Sequence, residues 1–170
     1  MAGPLIVTAL MGTADQALFD RLRKTYFPPE RNQIDAHLTM FHAIPHLLEA
    51  ELRQRLAALA ADLAPPRATI SGLMNLGGGV AYRIASDELD ALRAELADAF
   101  RGHLTHQDSH GWRPHITVQN KVTSSTAVAT LADLERDFSS RPLTLTGLVY
   151  HHYEGGPWRL GRRYPFRGNA

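Results

Sequence analysis

The hydrophobic residues of this chain recur at two spacings, and the alternation of these spacings predicts its helices and strands. Over residues 89–100 they recur every three or four positions, as on one face of a helix. In the first half we predict strands near Leu5–Met11, around His37 and near Arg67–Leu76, with helices near Ala14–Lys24 and Leu47–Leu63. In the second half we predict strands near Gly79–Ala85, around His115, near Leu143–Tyr153 and near Trp158–Phe166, with helices near Asp87–Arg101 and Thr126–Phe138.

The order of elements is the same in both halves, which is the pattern of an internal duplication. We predict one bilobal domain spanning residues 1–170, with lobe-forming repeats of approximately 1–78 and 79–170. Two helix starts carry capping signals. Ser86 precedes two acidic residues, and Thr13 with Gln16 has the spacing of a capping box.

A polar tetrad, His-apolar-Thr-apolar, occurs in one predicted strand of each half, at residues 37–40 and 115–118. Strand alternation places the His and Thr of each tetrad on one face and the two apolar residues on the other. A third His-x-Thr triplet, at 103–105, ends a helical pattern. We regard it as a chance occurrence, since roughly 0.6 such triplets are expected at random. The two tetrads predict one shared site.

Two histidines and two threonines in one site suit proton transfer at a phosphate ester. An unperturbed His titrates near pH 6.5, so one ring can act as base and the other as acid at the same pH. A Thr hydroxyl can donate to a phosphate oxygen and stabilise charge in the transition state. We therefore predict phosphodiester chemistry without metal or cofactor, with His37 and His115 catalytic and Thr39 and Thr117 binding substrate. The pattern leaves open which His is the base.

The paired tetrads in a duplicated layout resemble the 2H phosphoesterases, also called the 2′-5′ RNA ligase superfamily, over essentially the whole chain. The resemblance implies an α+β fold with pseudo-two-fold symmetry, in which two antiparallel sheets face a central cleft and helices lie outside. It implies an enzyme that opens 2′,3′-cyclic phosphates or related 2′-5′ and cyclic nucleotide phosphodiesters. The implied partners are RNA ends or small cyclic nucleotides.

Strand alternation nominates four further substrate-binding residues: Phe41, Arg83, Tyr150 and His152. Phe41 is nominated to stack on a base, although an aromatic residue on a strand more often has a simple packing role. Arg83 is expected to reach a phosphate, with a surface ion pair as the alternative. Trp158 shares a face with Leu160 and is assigned to the core. His42 is assigned to a loop or a strand end.

Composition narrows the class of protein. With 170 residues and 44% hydrophobic content, the chain can bury a core without disulfides or metals. The absence of cysteine excludes thiol catalysis and cysteine-ligated zinc. The net charge of +1 does not indicate nucleic-acid binding, although the arginines within 159–167 could form a basic patch or guard an edge strand. We expect a cytoplasmic protein with no membrane association and no obligate protein partner.

Three other functions remain open at this stage. The chain could be an RNA-end ligase or a non-catalytic RNA-binding module. It could also be a metal-dependent hydrolase that uses the loop His103–His110, whose candidate ligands are His103, His106, Asp108 and His110. Their spacing matches no familiar ligand motif, so we expect a polar loop beside the substrate and no bound metal.

Overall fold

The predicted order of strands and helices is found in the computed structural model, which describes residues 2–169. The strands are β1 (Leu5–Met11), β2 (Leu38–Ile44), β3 (Ala68–Asn75), β4 (Val80–Ala85), β5 (His115–Gln119), β6 (Arg141–Leu143), β7 (Leu145–His152) and β8 (Arg159–Pro165). The helices are α1 (Thr13–Tyr26), α2 (Glu49–Asp62), α3 (Asp87–Ala99), α4 (His106–Ser109) and α5 (Ser124–Arg136), with short 3-10 turns at Pro29–Arg31 and His46–Leu48. The strand predicted near Leu143–Tyr153 is divided into β6 and β7, and the short helix α4 was not predicted.

The strands form one curled sheet in the order β6-β3-β4-β5-β2-β1-β7-β8, with antiparallel neighbours. At its centre, β2 and β5 are joined by a single register pair, Leu38 with Ile116. This seam divides the sheet into half-sheet A (β2, β1, β7, β8) and half-sheet B (β5, β4, β3, β6). The α+β fold is therefore confirmed, while the two predicted sheets are halves of one sheet that stays connected at the seam.

Each half-sheet contains strands from both halves of the sequence. The first sequence half contributes β3 to half-sheet B, and the second contributes β7 and β8 to half-sheet A. The repeats 1–78 and 79–170 thus describe the order of elements along the chain, whereas the pairing exchanges strands between them. This exchange ties the two tetrad-bearing strands into one core.

The core lies on the side of the sheet that faces the helices. Leu38 and Ile116, at the seam, are both fully buried. Helix α2 packs on β7 and β8 through a stripe that includes the buried residues Leu52 and Leu56. Burial of one such side chain contributes about 1.5–3 kcal/mol. The tetrads are therefore fixed to the core through their apolar members.

The two predicted helix starts differ in outcome. Ser86 caps α3, because its hydroxyl accepts the Leu89 N–H at 3.1 Å, as predicted. The capping box at the start of α1 is wrong, since Gly12 is the N-cap and no side chain caps this end. The Gln16 amide instead donates to the Ala36 carbonyl at 2.8 Å, which holds the segment before β2 against α1.

Two strands contain bulges that change which side chains face the core. Residues 39–44 of β2 face only residues 5–8 of β1, so β2 carries two extra residues there. Residues 145–147 of β7 face only residues 10 and 11 of β1, so β7 carries one extra residue. An extra residue reverses the inward and outward alternation of the strand beyond it. Within residues 2–169, no helix is long and apolar enough to cross a membrane.

Candidate active site

The His and Thr of both tetrads line one cavity of about 350 Å³. The cavity lies at the seam on the open side of the sheet, which is the side opposite the core. Leu38 and Ile116 point into the core, so the residues on either side of each point the opposite way, into the cavity. In an antiparallel pair, the register around Leu38 and Ile116 places His37 on the side of Thr117 and Thr39 on the side of His115. The two histidines therefore stand diagonally across the site.

Both histidine rings are fixed in the same way. Nδ1 of His37 lies 2.8 Å from the carbonyl oxygen of Asp35, and Nδ1 of His115 lies 2.7 Å from that of Arg113. A carbonyl oxygen only accepts, so Nδ1 carries the hydrogen in each ring. Nε2 is then the nitrogen that can take up a proton from a neutral ring or give one from a charged ring.

The electrostatic surroundings of His37 favour its neutral form. Burial lowers the pKa of His37 to about 4, even though the hydrogen bond to the Asp35 carbonyl acts in the opposite direction. The positive charge of Arg23 and the rings of His115 and His151 lower it further. At neutral pH, Nε2 of His37 is thus an unprotonated acceptor in the cavity.

Side chains from elsewhere in the chain hold the backbone of both tetrads. Nη1 of Arg23, on α1, donates to the Thr117 carbonyl at 3.0 Å. Nε1 of Trp112 donates to the Thr39 carbonyl at 3.1 Å, and Nε of Arg93, on α3, donates to the Met40 carbonyl at 3.2 Å. These contacts use carbonyl oxygens near the seam, where β2 and β5 make only one register pair.

Trp158 was assigned to the core, but it lines the cavity. Its ring lies 4.6 Å from the His37 ring, centroid to centroid, and it forms part of the wall beside both His37 and Ile6. Trp158 belongs to the connection between β7 and β8, so the contact depends on tertiary structure and not on strand parity. The residues that sequence reasoning missed in this cavity also include His42 and Arg113.

Phe41 does not face the cleft, and its predicted stacking role is wrong. The side chain is 1% exposed and belongs to the core, where the Arg93 guanidinium lies 4.4 Å from its ring centre. The bulge in β2 is the cause, because it places Met40 and Phe41 in succession on the core side.

Tyr150 and His152 are also turned away from the cavity. The Tyr150 hydroxyl donates to Glu49 Oε2 at 2.6 Å, and His152 Nε2 lies 3.1 Å from the same oxygen. Burial, followed by the bond to Glu49, raises the pKa of Tyr150 to about 12. The bulge in β7 reverses the predicted parity. It is His151 that borders a second cavity, of about 380 Å³, whose wall includes His37.

Arg83 lies beside the site and outside the cavity lining. It is the cross-strand partner of His115, so the two side chains share one face of half-sheet B. The Arg83 side chain is exposed. A ligand that extends past His115 along this face would meet it.

The histidine-rich loop does not form a ligand cluster. Asp108 is 1% exposed and turned toward β2, where its carboxylate accepts the backbone N–H groups of His42 and Ala43 at 2.9 Å. The rings of His106 and His110 stack at 3.9 Å, and Nδ1 of His110 is bonded to the His106 carbonyl. Across residues 2–169, no group of three or more His, Asp or Glu side chains could hold a metal ion.

The fold is similar to that of solved structures. TT0787 of Thermus thermophilus is 14% identical and superposes with a TM-score of 0.67, over 98% of this chain and 100% of that one. E. coli LigT complexed with NADP+ is 15% identical (TM-score 0.61, 98% and 99% covered), and LigT complexed with 3′-AMP is 16% identical (TM-score 0.62, 98% and 99% covered). No curated protein matches the chain. A family model, the 2′-5′ RNA ligase superfamily, matches residues 12–157, which include both tetrads, and the chain belongs to this superfamily.

Proposed function

We propose that this protein is a phosphodiesterase that opens 2′,3′-cyclic phosphates, on RNA ends or on small nucleotides, without a metal ion. The observation that carries the proposal is the matched pair of histidines in one cavity, each bound through Nδ1 to the carbonyl two residues earlier. Fixing both rings leaves one Nε2 atom to accept a proton and the other to donate one. The superfamily membership supports the same class of chemistry.

The two histidines divide the proton transfers between them. His37 is the base, because its lowered pKa keeps Nε2 unprotonated. It takes a proton from water as the water oxygen forms a bond to phosphorus. The bond between phosphorus and one ribose oxygen then breaks, and protonated His115 gives its Nε2 proton to that oxygen. A phosphate monoester and a free ribose hydroxyl result.

Threonine hydroxyls and cationic side chains stabilise the phosphate in this scheme. Thr39 and Thr117 donate to its non-bridging oxygens, one from each half-sheet. The cavity is also lined by Arg93 and Arg113, whereas the Asp108 carboxylate in its wall is buried and already accepts hydrogen bonds. Preorganised donors of this kind act where negative charge grows in the transition state.

The same groups permit a second reaction, in which the 5′-hydroxyl of another RNA end replaces water as the nucleophile. His37 takes the proton of that hydroxyl as its oxygen bonds to phosphorus, the bond from phosphorus to one ribose oxygen of the ring breaks, and His115 protonates that ribose oxygen. RNA-end ligation is therefore the second candidate function, favoured by the same two Nε2 atoms. It is distinguished by incubating the protein with two RNA ends and measuring joined product.

The proposal is tested with a short RNA that ends in a 2′,3′-cyclic phosphate, in the presence of EDTA. We expect conversion to the monoester, measured by mass spectrometry, and loss of conversion in His37→Ala and in His115→Ala. No conversion, or conversion only after a metal is added, would overturn the proposal. Unchanged RNA affinity in both variants without any product would identify a binding module instead.

A further inference from the structure

His42 lines the catalytic cavity although it belongs to neither tetrad. The bulge in β2 moves Phe41 into the core and leaves His42 on the open side, with 44% of its side chain exposed. Bulges next to active sites commonly re-aim a side chain in this way. The mechanism proposed above makes no use of this third ring.

Asp108 holds the His42 ring from behind. Its Oδ1 lies 3.1 Å from Nδ1 of His42, and its two oxygens accept the N–H groups of His42 and Ala43, which the bulge releases from the strand ladder. Burial opposes ionisation of Asp108, but these bonds outweigh it and lower the pKa of the carboxyl. An ionised carboxylate on Nδ1 fixes the ring and leaves Nε2 for a ligand.

Hydrogen bonds to the backbone of Asp108 fix the position of the loop that carries it. Nη2 of Arg93 donates to the Asp108 carbonyl at 2.6 Å, and the Thr105 hydroxyl accepts the Asp108 N–H at 3.2 Å. Arg93 also binds the Met40 carbonyl in the first tetrad. His42 is thus positioned by a network that also holds Met40 of the first tetrad.

The charges of the cavity suit an anion. Besides its histidines, the charged side chains in the wall of the whole cavity are Arg93, Arg113 and the buried, hydrogen-bonded Asp108. The extra residues of β2 shorten the span from Thr39 to His42. Thr39 pairs with Thr8 and Phe41 with Val7, so His42 lies about two residues of β1 further along, roughly 7 Å away. That span corresponds to about one nucleotide unit from a phosphate held at Thr39.

We propose that His42, held by Asp108, binds a second phosphate group of the substrate, so that the preferred substrate carries a phosphate in addition to the one being opened. The inference rests on the proposed function, since it takes the phosphate at Thr39 as the reacting one. As an imidazolium, His42 donates from Nε2 to the second phosphate while Nδ1 donates to Asp108. His42 takes no part in the proton transfers at the reacting phosphate.

The test compares adenosine 2′,3′-cyclic phosphate with the same nucleotide bearing a 5′-phosphate. We expect wild type to hydrolyse the 5′-phosphorylated substrate with a kcat/KM about tenfold or more higher, mainly through a lower KM. In His42→Gln we expect the ratio of the two kcat/KM values to fall to about one. His46→Gln, an exposed position outside the cavity, retains the preference. No preference in wild type, or the same preference in His42→Gln, would overturn the inference.

A binding measurement separates this inference from the catalytic proposal. Calorimetry with adenosine 3′,5′-bisphosphate and with 3′-AMP gives the affinity gained from the second phosphate, which should be about tenfold in wild type and in His46→Gln but absent in His42→Gln. If neither cyclic substrate is hydrolysed and this pattern holds, the proposed function fails and the second-phosphate site stands. If hydrolysis occurs and the two ligands bind wild type equally, the site fails and the proposed function stands.

Discussion

Arg93 on α3 donates a hydrogen bond from Nε to the carbonyl oxygen of Met40, at 3.2 Å. Arg23 on α1 donates in the same way to the carbonyl of Thr117, at 3.0 Å. Each guanidinium thus comes from one half of the sequence and holds the tetrad of the other half. Both arginines are buried, at 9% and 5% exposure for Arg93 and Arg23. The two tetrads are coupled through these contacts.

Replacing Arg93 with methionine should destabilise the protein. Arg93→Met keeps a long side chain but leaves the Met40 and Asp108 carbonyls without this donor, and an unsatisfied buried acceptor costs about 1–3 kcal/mol. We expect the free energy of unfolding, measured with urea, to fall by about 2 kcal/mol or more. Arg136→Met is the control, since Arg136 is exposed and forms its ion pair with Asp133 on the same helix. Equal losses in the two variants would contradict this role for Arg93.

His37 should titrate near pH 4, well below the usual value for a histidine. The unfolded chain binds a proton at this residue below about pH 6.5, whereas the folded protein does so only near pH 4. The His37 contribution to the free energy of unfolding therefore decreases as the pH falls from about 6.5 to 4, and changes no further below that. NMR titration of the ring, assigned by its absence in His37→Gln, measures the pKa directly. A midpoint near 6.5 would be inconsistent with the assignment of His37 as the neutral base.

The tetrad threonines should contribute to the rate through their hydroxyl groups. Thr39→Val and Thr117→Val preserve shape and remove one donor to the phosphate, so we expect kcat on a cyclic-phosphate substrate to fall about 100-fold in each. Thr146→Val, at an exposed position on β7, should leave kcat unchanged. If the valine variants raise KM and leave kcat intact, the hydroxyls bind substrate without stabilising the transition state.

Tyr150 should matter for stability and not for activity. Tyr150→Phe removes the hydroxyl that donates to Glu49 at 2.6 Å, so we expect the free energy of unfolding to fall by about 1 kcal/mol. Because the Tyr150 ring lies outside the catalytic cavity, kcat/KM on a cyclic-phosphate substrate should remain within about twofold of wild type. A large loss of activity with unchanged stability would contradict this prediction and indicate that Tyr150 acts in the active site.

The parts of the fold that could be predicted are those encoded by local pattern. β1 covers the residues predicted for it, because the strand has the same ends as the apolar run in the sequence. The His and Thr of both tetrads face the cavity, as the alternation of side chains along a strand predicted. The errors at Phe41, Tyr150 and His152 have one cause, an extra residue in a strand. In β7 a signal was present, since Gly147 lies within the strand pattern, where an isolated glycine is typical of a bulge or of a close backbone approach. A Cβ at Gly147 would lie 2.6 Å from the Tyr164 carbonyl oxygen.

The remaining features depend on contacts between distant parts of the chain. The bulge at His42 is satisfied by Asp108, 66 positions away, and no local pattern announces such a partner. Trp158 reaches His37 through the connection between β7 and β8. Helical and strand periodicity carry no information about either contact, so His42 and Trp158 were recognised only in the folded structure.

The most direct test of paired-histidine catalysis is the kcat/KM of His37→Ala, His115→Ala and the double variant on one cyclic-phosphate RNA. Groups that act as a unit give losses that do not multiply. We therefore expect each single variant to lose about 100-fold or more and the double variant to lose little beyond that. His103→Ala, in the third His-x-Thr triplet and outside the cavity, should retain wild-type activity. A single variant that retains a tenth or more of wild-type kcat/KM would contradict the account.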